Sequence, residues 1–200
     1  LVANRMIIIN KGSKIVVGDV NNLLNSNTLT VTVEVDNAKA AYDITKHLID
    51  KGCRRIMHLG GNVLRNVYSE RIKGYKQALR DHNLPFEEKL LYISKLSEDA
   101  GTQAGERILK MKEKDRPDGV FSANDTAAVH CMLTLKYAGF RIPQDIAFAG
   151  FNNDPISKVI EPNLTTVNYS GYNVGEAAVS NLINHLNGVT DIKTTNTIIL

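Results

Sequence analysis

Along this chain, short aliphatic runs alternate with longer stretches whose apolar residues return every three or four positions. SKIVVGD (13–19) and TVTVEV (30–35) are rich in Val and Ile and predict strands. Residues 36–52 predict a helix: Ala41, Ile44 and Leu48 share one face, and Gly52 supplies the stop. RRIMHLG (54–60) predicts a strand, and 68–82 a helix with Ser69 as N-cap and Pro85 just beyond its end. KLLYIS (89–94) predicts a further strand, followed by a helix over 97–114 led by Ser97-Glu98-Asp99. DGVFSA (118–123) is a strand and 125–139 a helix, with Ala128, Cys131 and Leu135 on one face and Gly139 as its C-terminal cap. DIAFAGF (145–151) is a strand, a short helix follows Pro155, and 164–167 is extended. A helix over 170–188 and a strand over 196–200 complete the pattern.

Strict alternation of apolar strands and amphipathic helices predicts an α/β fold with a parallel sheet covered by helices on both faces. Ligands in such folds bind beyond the carboxyl ends of the strands. The polar residues just after each strand are therefore the candidates: Asp19, then Arg65 and Arg71, then Asn124-Asp125, then Asn152-Asn153-Asp154. Each also has an explanation that needs no ligand. Asp125 is the expected N-cap of its helix, and Asn152-Asn153 suit a turn that visits left-handed backbone. Phe121 suits core packing. Arg71 differs, because a cation early in a helix opposes the helix dipole, so its position gives no structural reason for it.

Composition alters this picture little. With 43% apolar and 22% charged residues in 200, the chain has the make-up of an ordinary globular protein. A net charge of +3 without any block of like charge makes no electrostatic case for nucleic acid. In LKMKEKDR, Glu113 and Asp115 offset Lys110, Lys112, Lys114 and Arg116, as on a solvated helix face. Cys53 and Cys131 have no spacing that implies a metal or a disulfide, which fits a reducing compartment. The aliphatic run MIII is far short of the roughly 20 residues a membrane span needs. No G-x-S-x-G, P-loop, G-x-G-x-x-G or H-E-x-x-H occurs, and the His residues are scattered, so a binding protein without catalytic group, metal or cofactor is expected. Amides, a carboxylate and two guanidinium groups suit vicinal hydroxyls, a carboxylate or a base edge.

Several segments together resemble the LacI/GalR family of bacterial transcription regulators: VDNAKAAYDITKHLIDKGCRRIMHLGG, RIKGYKQAL, RPDGVFSANDTAAVHCMLTLKYAGFRIPQDIAFAGFNN and EPNLTTV. The resemblance implies a two-lobed fold like that of periplasmic sugar-binding proteins, with a small-molecule effector in the cleft. By this resemblance residues 1–35 and 168–191 belong to the first lobe, which looks partial, and 36–167 with 192–200 to the second. It carries effector contact onto Asp19, Arg65, Arg71, Phe121, Asn124 and Asn152. Asn152 departs from the family pattern, where Asp is usual, and leaves room for a different or anionic effector. The resemblance further implies a cytoplasmic homodimer. Its effector is sugar-like, and it reaches DNA only through a helix-turn-helix headpiece that these residues do not resemble; the chain is thus expected to be part of a longer protein. The rival reading on the same fold is a periplasmic sugar-binding protein of a transport system.

Overall fold

The computed structural model describes residues 5–10, 13–19, 31–34, 36–168, 171–187, 189 and 196–199. Its elements in chain order are β1 (Arg5–Asn10), β2 (Ser13–Asp19), β3 (Val31–Glu34), α1 (Asn37–Asp50), β4 (Ile56–Gly60), α2 (Asn66–Asp81), β5 (Leu91–Ile93), α3 (Glu98–Lys110), β6 (Gly119–Ser122), α4 (Asp125–Tyr137), β7 (Ala147–Phe151), α5 (Ile156–Val159), β8 (Thr165–Val167), α6 (Gly171–Leu186) and β9 (Asn196–Ile199). Short 3-10 turns occupy Glu88–Leu90 and Glu113–Asp115. The chain divides into two compact units, Val35–Gly171 and Leu1–Glu34 with Tyr172–Leu200.

In the larger unit five strands pair in the order β5-β4-β6-β7-β8, all parallel. Successive side chains of a strand point to opposite faces, and the two cores follow that period of two. Ile56, Phe121, Ala149 and Phe151 pack with Ala41, Ile44 and Leu48 of α1 and with Tyr75 and Leu79 of α2. Met57, Leu59, Val120 and Phe148 pack on the other face with Ala104 and Ile108 of α3 and Cys131, Met132 and Leu135 of α4. Covered on both sides, β4 and β6 are buried at every residue, which is why they read as continuous apolar runs.

Helix ends follow local chemistry. Asp36 caps α1, accepting from the Lys39 amide at 2.8 Å, and Ser97 caps α3, accepting from the Ala100 amide at 3.3 Å. Gly52 and Gly139 close their helices with φ of 102° and 91°. Ser69 is not the cap expected for α2. The helix begins at Asn66 behind Arg65, and the Ser69 hydroxyl instead donates to the Asn66 carbonyl from within the first turn.

The smaller unit departs from an all-parallel expectation. β1 and β2 form an antiparallel pair, running from Arg5 opposite Asp19 to Asn10 opposite Ser13. Only Lys11 and Gly12 separate them, enough for a hairpin and far too little for a parallel crossover. β3 and β9 pair in parallel, Val31 with Asn196 through Glu34 with Ile199. Residues 196–199 thus cluster with the first segment of the chain, whereas 192–200 were expected with the second lobe. No helix among the described residues is long and apolar enough to cross a membrane.

Candidate ligand-binding site

β4 and β6 are neighbours, yet the chain leaves β4 for β5 on one side and returns to β6 on the other. Between two such strands the connecting loops part, and their carboxyl ends open a crevice. Arg71 stands at this point. It lies in the second turn of α2 and is 6% exposed. Its Nη1 donates to the Ala123 carbonyl just beyond β6 at 2.6 Å, and its Nε donates to Asn37 Oδ1 at the start of α1 at 2.9 Å. The guanidinium carbon sits 3.5 Å from the centroid of the Phe151 ring, the last residue of β7. A cation over the face of a buried ring, held by two hydrogen bonds, has a fixed position. Position in the helix gave Arg71 no reason; these three contacts do.

Asn124 is the N-cap of α4, which corrects the expectation that Asp125 would be. Its Oδ1 accepts from the Ala127 amide at 3.0 Å and its Nδ2 donates to the Leu96 carbonyl at 2.8 Å. The cap is the last residue with extended backbone, and that is Asn124, with φ −154° and ψ 162°. Asp125 is already helical and turns inward, fully buried. Its carboxylate accepts from the Thr166 hydroxyl at 2.6 Å and from the Asp154 amide at 2.7 Å. Burial raises its pKa, and those two hydrogen bonds pull the other way.

Asn152 and Asn153 form the turn after β7, with φ of 115° and 58°. Asn tolerates left-handed backbone better than most residues. The Asn152 amide nitrogen donates to Asp154 Oδ2 at 3.3 Å, and the Asn153 amide nitrogen to Asn168 Oδ1 at 3.0 Å. Arg65 is the exposed residue preceding α2. Phe121 was expected to line the site. It is fully buried in the α1/α2 core, its ring 4.6 Å from that of His58, because its place in β6 points it at a covered face. Asp19 ends β2 in the smaller unit, and its side chain lies outside the described residues.

The structure thus gathers Arg71, Asn124 and Asn152 at one edge of the sheet through Ala123 and Phe151. Asn37 and Thr166, which were not expected, and Asp154, expected only as one of the polar residues after a strand, also build this edge. Their partners lie 34, 29 and 41 residues away, beyond any local pattern. The edge offers a guanidinium and neutral amides, with its one buried carboxylate turned away. Burial lifts the thiol pKa of Cys53 to about 11 and that of Cys131 to about 12, so both stay protonated in the core. Among the described residues no group of three His, Cys, Asp or Glu side chains could hold a metal ion.

A sequence profile of the periplasmic binding protein-like domain matches residues 45–199. The chain belongs to that family. It is 34% identical over 153 residues to the HTH-type transcriptional repressor PurR of Vibrio atlanticus (strain LGP32), covering 76% of this chain and 45% of the relative. It is 29% identical over 160 residues to catabolite control protein A of Priestia megaterium, covering 80% and 48%. Among solved structures, the transcriptional regulator CelR in complex with cellobiose superposes with a TM-score of 0.74 at 26% identity, over 85% of this chain and 51% of that one. CcpA of Lactococcus lactis gives 0.75 at 28% identity, over 87% and 66%. The chain therefore spans about half the length of the curated relatives it matches, and the shared part is the effector-binding portion of these LacI-family proteins.

Proposed function

We propose that this chain is the effector-sensing core of a cytoplasmic, homodimeric LacI-type transcription regulator, and that its effector is a sugar or sugar derivative. The observation that carries the reading is Arg71, desolvated on the Phe151 ring and braced at the topological switch between β4 and β6. A planar fork beside amides suits the vicinal hydroxyls of a sugar. In the lobe assignment that the reading adopts, 36–167 belong to the second lobe, where Arg65 adds a contact, and Asp19 adds one from the first lobe. The chemistry is binding rather than turnover. A ligand that prefers one conformation of the regulator shifts its population, and operator affinity follows.

The test uses the full-length regulator. Mono- and disaccharides, sugar phosphates and purines are screened by thermal shift, since a ligand at 100 times its Kd adds about 2.7 kcal/mol of stability. A saturable sugar hit should also change operator affinity roughly 5- to 150-fold by fluorescence anisotropy. Arg71→Lys, which keeps the charge and loses the fork, should weaken that hit about tenfold or more. A hit confined to purines would overturn the sugar assignment, and an Arg71→Lys protein with unchanged affinity would overturn the site.

A further inference from the structure

The opposite edge of the same sheet carries a second concavity. It lies at the amino ends of β7 and β8, whose first residues Ala147 and Thr165 line it, and has a volume of about 300 Å³. Its walls are apolar: Leu48, Met132, Ile142, Pro143, Phe148 and Leu164. That volume is at the lower bound of cavities that hold small molecules, and an apolar body with few polar groups is the usual make-up of such sites.

The one fixed charge among the lining residues is the cation of Lys51. His47 and Lys51, at the end of α1, line it, and none of the lining residues is acidic. Neither side chain makes a hydrogen bond or salt bridge among the described residues. Asp50 is paired with Lys46. Nor does capping engage these side chains, because the end of α1 is closed by the Lys51 backbone N–H on the His47 and Ile49 carbonyls. Another concavity of this unit, about 420 Å³, differs in kind. Its Asp118 and Asp145 are committed to the Arg54 and Arg55 amides and to Arg141, as a finished structural corner would have them.

We propose that the pocket between α1 and the amino ends of β7 and β8 binds a small amphipathic anion, its apolar body against Phe148, Leu48 and Leu164 and its carboxylate or other anionic head toward Lys51 and His47. The site is separate from the Arg71 edge and does not depend on the regulator reading. Charge complementarity selects the head, and the enclosed apolar walls select a short chain or a single ring.

Sodium octanoate is the probe, titrated into the full-length protein by calorimetry with 1-octanol as the uncharged control. Saturable 1:1 binding with submillimolar Kd is expected, about tenfold weaker for octanol. Lys51→Glu, an exposed substitution beyond the helix end, should weaken octanoate at least tenfold. Thr165→Trp, placing an indole at the mouth, should abolish binding. Should Thr165→Trp not fold, Lys51→Glu alone decides. Binding that is non-saturable, equal for octanol, or indifferent to Lys51→Glu would overturn the proposal. So would octanoate binding that vanishes as protein concentration rises, which would show a second copy covering the groove.

Discussion

His58 sits in the middle of β4, fully buried, with its ring 5.1 Å from Tyr75 and 4.6 Å from Phe121. Its Nδ1 meets the Phe121 carbonyl at 3.0 Å. A carbonyl only accepts, so Nδ1 carries the proton and Nε2 is a bare lone pair, without a hydrogen-bond partner among the described residues. Burial holds the imidazole neutral and pushes its pKa down to about 3, from 6.5. Below pH 6.5 the unfolded chain takes up a proton that the folded chain refuses, so stability is complete above that pH and falls as pH drops toward 3. One pH unit in this window is worth about 1.36 kcal/mol, so lowering pH from 7.5 to 5 should cost about 2 kcal/mol from His58 alone. Guanidinium denaturation at pH 7.5, 6.5, 5.8 and 5 reads this directly. His58→Leu, similar in volume, should lose some stability at pH 7.5, where the Phe121 carbonyl gives up a donor. Its stability should then fall by about 2 kcal/mol less than that of the parent across the range. Other titrating groups are present in both proteins and cancel. Parallel pH profiles for the two would refute the buried, neutral imidazole.

Two further substitutions test how the site edge and the core are built. Asp125→Ala removes the acceptor shared by the Thr166 hydroxyl and the Asp154 amide, and should cost about 2–4 kcal/mol in guanidinium denaturation, with faster hydrogen exchange at the Asp154 amide; a loss below about 1 kcal/mol would refute its role as a tie between loops. Gly74→Ala would place a Cβ inside the Ala38 carbonyl oxygen and within 2.9 Å of the Tyr42 amide nitrogen, backbone atoms that cannot rotate away. Its unfolding midpoint should fall, by roughly 1–3 kcal/mol or more. A gain of about 1 kcal/mol, as at an exposed helical glycine, would refute close packing of α1 on α2.

What could be read from sequence was what local pattern encodes. The continuous apolar runs IMHLG and AFAGF alternating with helices, and the three-four spacing of Ala41, Ile44 and Leu48, gave the parallel sheet and its helices. The hairpin of β1 and β2 was not among the expected elements, because RMIIIN is a continuous aliphatic run without the alternation that marks a strand of a two-stranded pair. At strand ends the residue types were legible and their roles were not. Asn124 and Asp125 are adjacent, both are good N-caps, and only the backbone turn decides between them. Arg71 stood out because its place in the helix was electrostatically wrong. The contacts that justify it reach 34 and 52 residues along the chain.

Asn152, where the resemblance leads one to expect Asp, has a local explanation. Its amide nitrogen donates to Asp154 Oδ2, and Asp154 is in turn tied through its own amide to buried Asp125. A carboxylate at 152 would have no proton to give and would set a like charge beside Asp154. Backbone geometry favours the amide as well, since φ at 152 is 115°. The exchange of charge for amide thus closes the loop after β7 upon itself, and makes the edge beside Arg71 less negative. Here the turn accounts for the amide, and under the proposed reading ligand selection falls to the Arg71 guanidinium.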